Sequence, residues 1–195
     1  MKRQDTLFEI PESSKANHRI RMIAGARNNR RMDHDFYPTP EIATIKFLEH
    51  EKFKGEIWEP ACGDGAISKV LQDSGYFTVS SDLIYRGYGE GGVDFLRSTY
   101  HTENIVTNPP FKLANKFVNH ALTHASKKVC FLLRLNFLES KTRIPLFRDF
   151  PFARLYVHAS RIPFQVSPGS GSNAIAFAWF VWDYSHKGDP VIKWI

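Results

Sequence analysis

Cysteine is nearly missing from this chain, with two in 195 residues, Cys62 and Cys130, both beside apolar stretches. Two thiols make neither a disulfide framework nor a thiolate metal site, so buried free thiols are expected. Long hydrophobic runs are missing too: none approaches the roughly 20 residues that cross a bilayer. Residues 1–31 are too charged to hold the apolar core of a secretion signal. A cytoplasmic protein with no membrane partner is the expectation. The eight histidines form no ligand cluster; His120 and His124 share a helical face but read as surface residues, so no metal is expected. Low complexity is confined to residues 167–173, which read as a loop, and no internal repeat is visible.

Hydrophobic residues make up 43% of the sequence, enough for one sizeable core. The expected organisation is a polar, basic arm over 1–34, with a helix near 14–26, followed by a single domain over 35–195. Charge is strongly segregated. Residues 1–34 hold 8 basic and 4 acidic side chains, residues 35–111 hold 6 and 12, and residues 112–195 hold 12 and 4, within a total of +6. An acidic middle suits a ligand with positive charge, and a basic second half suits a polyanion. Candidates for the latter are Lys112, Lys116, Lys127, Lys128, Arg134, Lys141, Arg143, Arg148, Arg154 and Arg161; about half of them could simply solvate helix ends.

The most informative segment is Thr107-Asn108-Pro109-Pro110-Phe111, placed directly after the apolar run Asn104-Ile105-Val106. A strand ending in a rigid proline loop would fix an amide beside an aromatic face. The Asn108 side-chain oxygen and the Pro109 carbonyl could accept both N–H bonds of a ring amino group, and Phe111 could stack on the ring. The alternative is a strand terminator with Phe111 in the core.

Upstream, residues 57–67 read as a strand, a turn with Gly63 and Gly65, and the start of a helix, the first unit of a doubly wound sheet. Glu59 and Asp64 would repel a pyrophosphate there. Asp82 ends the next apolar run, where such folds bind ribose hydroxyls, and Asp94-Phe95 could meet an adenine ring. Asp82 could equally cap a turn, and Asp94 could be a solvated loop acid. Strands are expected near 56–59, 77–81, 104–107, 129–133, 153–157 and 175–182. Helices are expected over 39–53, capped by Thr39, and near 66–73, 113–126 and 141–147.

With these residues in place, the chain resembles S-adenosylmethionine-dependent methyltransferases. Glu59–Gly65 is similar to their Glu-x-x-x-Gly-x-Gly loop. Asn108–Phe111 resembles the Asn-Pro-Pro-Phe motif of amino-methyltransferases acting on adenine in DNA, many of them encoded by phages and prophages. Asp35-Phe36-Tyr37-Pro38-Thr39-Pro40 is similar to their segment for the methionine end of the cofactor, and the likeness covers roughly residues 35–184. It implies a Rossmann-like α/β class I fold, with a mainly parallel seven-stranded sheet, an antiparallel last strand and helices on both faces.

The resemblance further implies that Thr39, with the backbone beside it, contacts the carboxylate end of S-adenosylmethionine, that Glu59, Ala61 and Gly63 line its methionine and sulfonium region, and that Tyr37 and Gly65 also belong to the cofactor site. Asp82 would bind the ribose, and Asp94 and Phe95 the cofactor's adenine. Asn108, Pro109, Pro110 and Phe111 would hold the target base. Phe164 is the candidate for a second stacking ring, with strand-end packing as its alternative; Phe137 is a weaker one. Arg134, Arg161 and Lys112 are further candidates for the substrate, although Arg134 could pair with Glu139 instead. The expected partner is DNA. With no long insertion between motifs to house a target-recognition domain, a short or relaxed target sequence is expected. RNA amino-methylation and non-catalytic nucleic-acid binding are the alternatives.

Overall fold

The computed structural model describes residues 36–162, 164 and 175–195. The arm over 1–34 and the loop over 167–173 lie outside the described residues. The elements run α1 (Glu41–His50), β1 (Ile57–Glu59), α2 (Ala66–Asp73), β2 (Thr78–Asp82), β3 (Glu90–Gly91), β4 (Thr102–Thr107), α3 (Ala114–His124), β5 (Ala125–Arg134), α4 (Ile144–Arg148), β6 (Phe152–Val157), β7 (Phe177–Asp183) and β8 (Val191–Trp194). They form a sheet of order β3-β2-β1-β4-β5-β7-β6-β8.

Strands β1 to β5 pair in parallel, and β7 lies antiparallel between β5 and β6. This is the expected mainly parallel sheet, with two corrections. The described residues hold eight strands, not seven. The antiparallel strand is the penultimate one, because β8 adds to the edge parallel to β6.

Burial of both sheet faces explains the apolar sequence of the central strands. On β5, Cys130 and Leu132 face α1 and α2, with Phe47, Leu48, Ile67 and Leu71. Val129, Phe131 and Leu133 face α3, with Phe117, Val118 and Leu122. On β7, Trp179 and Val181 take the first face, and Ala178, Phe180 and Trp182 the second. Each buried indole N–H has an acceptor: Trp58 donates to Ser81 Oγ at 2.9 Å, Trp179 to the Ala43 carbonyl at 3.0 Å and Trp182 to the Leu146 carbonyl at 2.8 Å. Trp179 also stacks on Phe47 at 4.3 Å between centroids, a contact adding about 0.5–1.5 kcal/mol to area burial. Both cysteines are free and buried.

The amino ends of the parallel strands are tied by an ionic cluster. Glu51, just past α1, is 3% exposed and accepts from Lys128, from Arg154 at 2.8 and 3.0 Å, and from the Tyr156 hydroxyl at 2.9 Å. Arg154 also donates to Asp183 at 2.6 Å. Burial alone would raise the Asp183 carboxyl, but hydrogen bonds from Arg154 and Ser185 outweigh it and hold it down to about 2.

Strand β1 lies between β2 and β4, so the winding direction reverses there. In open α/β sheets the crevice at the carboxyl ends of the strands at such a point takes the ligand. The loops after β1 and β4 both lie at that end of the sheet.

Candidate active site

The loop after β1 is shaped by two glycines with positive φ, Gly63 at 56° and Gly65 at 85°, a region where an L side chain is strained. Gly65 is the N-cap of α2. The loop is anchored to β2: Cys62 N–H donates to the Ser81 carbonyl at 3.0 Å and Gly63 N–H to Asp82 Oδ2 at 2.9 Å. Asp82 Oδ1 accepts from Ile84 N–H at 2.9 Å, so this carboxylate clamps the loop while ending its own strand. Glu59, 1% exposed, accepts from the Ser68 hydroxyl in the first turn of α2. Burial pushes the Glu59 carboxyl well above the usual carboxylate range; the Ser68 bonds oppose this, and the charges of Asp82 and Asp64 add to it. Asp64 Oδ1 is buried without a hydrogen-bond partner among the described residues. Ala61 is half-buried in the same turn.

The close approach that these glycines permit is made by two rings. A Cβ at Gly63 would fall 2.2 Å from a Phe36 ring carbon, and one at Gly65 would fall 2.5 Å from Tyr88. The Arg86 guanidinium lies 4.3 Å from the Phe36 centroid, and the Tyr88 hydroxyl donates to Gln72 at 2.8 Å. Phe36 lies in the segment that the resemblance assigns to the methionine end of the cofactor, whereas Arg86 and Tyr88 are neighbours of this loop that no motif marked. The aromatic and glycine-rich run Tyr85-Arg86-Gly87-Tyr88-Gly89 after Asp82 was the available signal.

At the end of β4, Asn108 donates through Nδ2 to the Thr39 hydroxyl at 3.0 Å. Its Oδ1 is buried and has no hydrogen-bond partner among the described residues. Thr39 therefore does not cap α1 as the sequence suggests; Pro40 stands at the N-cap, and no side-chain cap bond is made. Pro109 is buried and Pro110 half-buried, leading into a short 3-10 turn over Phe111–Leu113. Phe111 is half-buried rather than exposed. Tyr37 stacks on it at 5.8 Å and 21°, Phe177 tilts against it at 5.6 Å, and the Arg134 guanidinium lies 4.3 Å from its centroid. Arg134 Nε is buried without an acceptor among the described residues. Segment 36–39 thus touches both loops, Phe36 on the glycine side and Tyr37 and Thr39 on the proline side.

Two aromatic candidates pack into the apolar core. Phe95 is 2% exposed, locked among Trp58 at 5.1 Å, Phe117 at 4.9 Å and His120 at 4.8 Å, so its ring belongs to the core. Asp94 caps the turn that buries it, accepting from Leu96 N–H at 3.0 Å. Phe164 is 8% exposed and packs on Phe177 at 4.5 Å, so Phe177, and not Phe164, lies beside Phe111. The weaker candidate Phe137 is buried against Phe180.

Several basic candidates are already engaged. Lys128 and Arg154 belong to the Glu51 cluster, Lys127 pairs with Glu103, and Arg148 with Asp149. Arg143 donates to the carbonyls of Asn136, Phe137 and Glu139. Lys112, Lys116, Lys141 and Arg161 are exposed and make no ion pair among the described residues. Within the same limits, no group of histidines, cysteines and carboxylates could hold a metal, and no helix is long and apolar enough to cross a membrane.

No family model and no curated protein matches the chain. Solved structures do. A modification subunit of a putative type I restriction enzyme from Vibrio vulnificus YJ016 superposes with a TM-score of 0.55 at 14% identity, over 97% of this chain and 53% of its own. A predicted O-methyltransferase from Agrobacterium tumefaciens gives 0.54 at 11% identity, over 80% and 85%. Magnesium protoporphyrin IX methyltransferase from Synechocystis PCC 6803, with bound SAH, gives 0.51 at 13%, over 87% and 94%. The fold is that of the class I methyltransferases. The chain spans about half the length of the Vibrio subunit.

Proposed function

We propose that the chain transfers a methyl group from S-adenosylmethionine to the exocyclic amino group of adenine in DNA. The observation that carries this reading is the buried, unpartnered Asn108 Oδ1 at the carboxyl end of β4, three residues before Phe111. A buried acceptor without a donor is costly, by about 1–3 kcal/mol, and an amino group is the partner that would relieve it.

The loop after β1 fits the cofactor. Glu59, Asp64 and Asp82 gather there, and the orphaned Asp64 Oδ1 suits a cationic group. Asp82, already clamping Gly63, is the candidate for the ribose, and the half-buried Asp94 for the cofactor's adenine. When bound, the cofactor supplies an electrophilic methyl carbon on a sulfonium leaving group. The chain's own residues present the nitrogen. Asn108 Oδ1 and the Pro109 carbonyl accept its two N–H bonds, which turns its lone pair out of the ring and stabilises the positive charge that develops on it. Pro110 stiffens the loop. Phe111 fixes the plane of the base by stacking, a contact of about 1–3 kcal/mol. A base reaches that ring by taking the place of the Arg134 guanidinium, whose unpartnered Nε is then free to meet a ring nitrogen or a phosphate.

Nucleic acid is favoured as the substrate by the exposed Lys112, Lys116, Lys141 and Arg161, and by the likeness to a restriction-enzyme modification subunit. The test is labelled-cofactor transfer to unmethylated duplex DNA, single-stranded DNA and ribosomal RNA in parallel, followed by mass spectrometry of the nucleosides. N6-methyladenine from DNA is expected. Label confined to RNA, or no transfer despite cofactor binding, would overturn the reading. Genome-wide mapping of modified adenines should reveal a short or relaxed target; a long, strict site would contradict that part.

A further inference from the structure

We infer that Thr39 is a positioning residue for Asn108, and that it works by holding the amide so that the carbonyl oxygen, not the NH2, faces the incoming amino group. The inference rests on the proposed methyl transfer and changes the role of Thr39, which the family resemblance would give to the cofactor.

An asparagine amide has an acceptor end and a donor end of nearly equal shape, and a half-turn about its last torsion exchanges them. Only one orientation suits an N–H2 substrate, since the other would set donor against donor. A threonine hydroxyl can accept or donate, and here Thr39 Oγ1 accepts from Nδ2 at 3.0 Å, which leaves Oδ1 buried and unpartnered among the described residues. Thr39 is well placed for this task. It is 7% exposed, immediately precedes the N-cap Pro40 of α1, and makes no cap bond there, which leaves its hydroxyl to the amide. Tyr37, two residues before it, stacks on Phe111, so Tyr37 and Thr39 brace the ring and the amide from one short segment.

The experiment compares Thr39→Val, which keeps the shape and removes the hydroxyl, with Thr39→Ser, which restores it. Steady-state methylation and calorimetric titration with S-adenosylmethionine are measured on the full chain. Thr39→Val should lower kcat about ten-fold, the order expected for one lost hydrogen bond, with cofactor Kd within about two-fold of the wild type. Thr39→Ser should recover most of kcat. In an Asn108→Ala background, Thr39→Val should cause no further loss, because the two side chains act as one unit. An unchanged kcat, or a weakened cofactor Kd at unchanged kcat, would overturn the inference. If Asn108→Ala itself retains full activity, it is the proposed function that fails; if Asn108→Ala is inactive and Thr39→Val keeps the wild-type kcat, only the positioning role fails.

Discussion

Asn108 and Asp82 sit on neighbouring loops and are proposed to meet different ligands, so their substitutions should separate accordingly. Asp82 receives two backbone N–H bonds, from Gly63 and Ile84, so Asp82→Ala leaves both donors unpaired and loosens the glycine loop. At about 1–3 kcal/mol per buried unpaired group, cofactor affinity should fall ten-fold or more, as read by calorimetric titration. An unchanged Kd would contradict the assignment. At this scale the sequence was informative about identity and poor on environment. The residue types and spacing of Glu59, Gly63, Gly65, Asp82 and Asn108 were legible because each needs a local backbone conformation or a strand end. The burial of Phe95 and Phe164 was not, since an aromatic beside a loop reads the same whether its ring meets a ligand or Trp58 and Phe177.

Among elements, α1, β5, β6 and β7 are fastened at their shared end by Glu51. Replacing Glu51 with Ala strands Lys128 and Arg154 beside Asp183 without their main acceptor, and removing one partner of a buried pair typically costs about 3–5 kcal/mol. The melting temperature by circular dichroism should drop by several degrees, and an unchanged value would show the cluster to be neutral. Acid should act in two steps. Burial, with Lys46 nearby, lowers His158 from 6.5 to about 4. The contribution of that histidine is therefore complete above pH 6.5 and lost as the pH falls toward 4. That of Asp183 is complete above 3.8 and lost toward 2. In His158→Gln the first step should shrink and the second persist; a first step of equal size in the variant would exclude His158 as its source. Long apolar runs made β5 and β7 readable, and strict amphipathic spacing set α2 to the residue. Strands β3 and β8 were missed because two residues, Glu90–Gly91, carry no period, and the four exposed residues of β8 show no buried face.

Over the whole molecule, the charge segregation visible in the sequence is only partly available for binding. Lys127, Lys128, Arg143, Arg148 and Arg154 are used internally, which leaves Lys112 and Lys116, just past Phe111, among the exposed cations. If these two meet phosphates, Lys112→Ala with Lys116→Ala should weaken binding uniformly across DNA sequences. The log-log salt slope, measured by fluorescence anisotropy, should fall by about one per lysine. An unchanged slope would place the polyanion elsewhere. The overall architecture was legible because alternating strands and helices leave few topologies. Which basic residues remain free depends on pairings far apart in sequence, such as Lys128 with Glu51, that no local pattern encodes.

The most direct test of the central claim is the quantity of N6-methyladenine formed in unmethylated duplex DNA by the wild-type chain and by Asn108→Ala at saturating cofactor. Robust modification by the wild type is expected, with a loss of about 100-fold or more in the variant and cofactor affinity retained. Near-wild-type methylation by Asn108→Ala would contradict it.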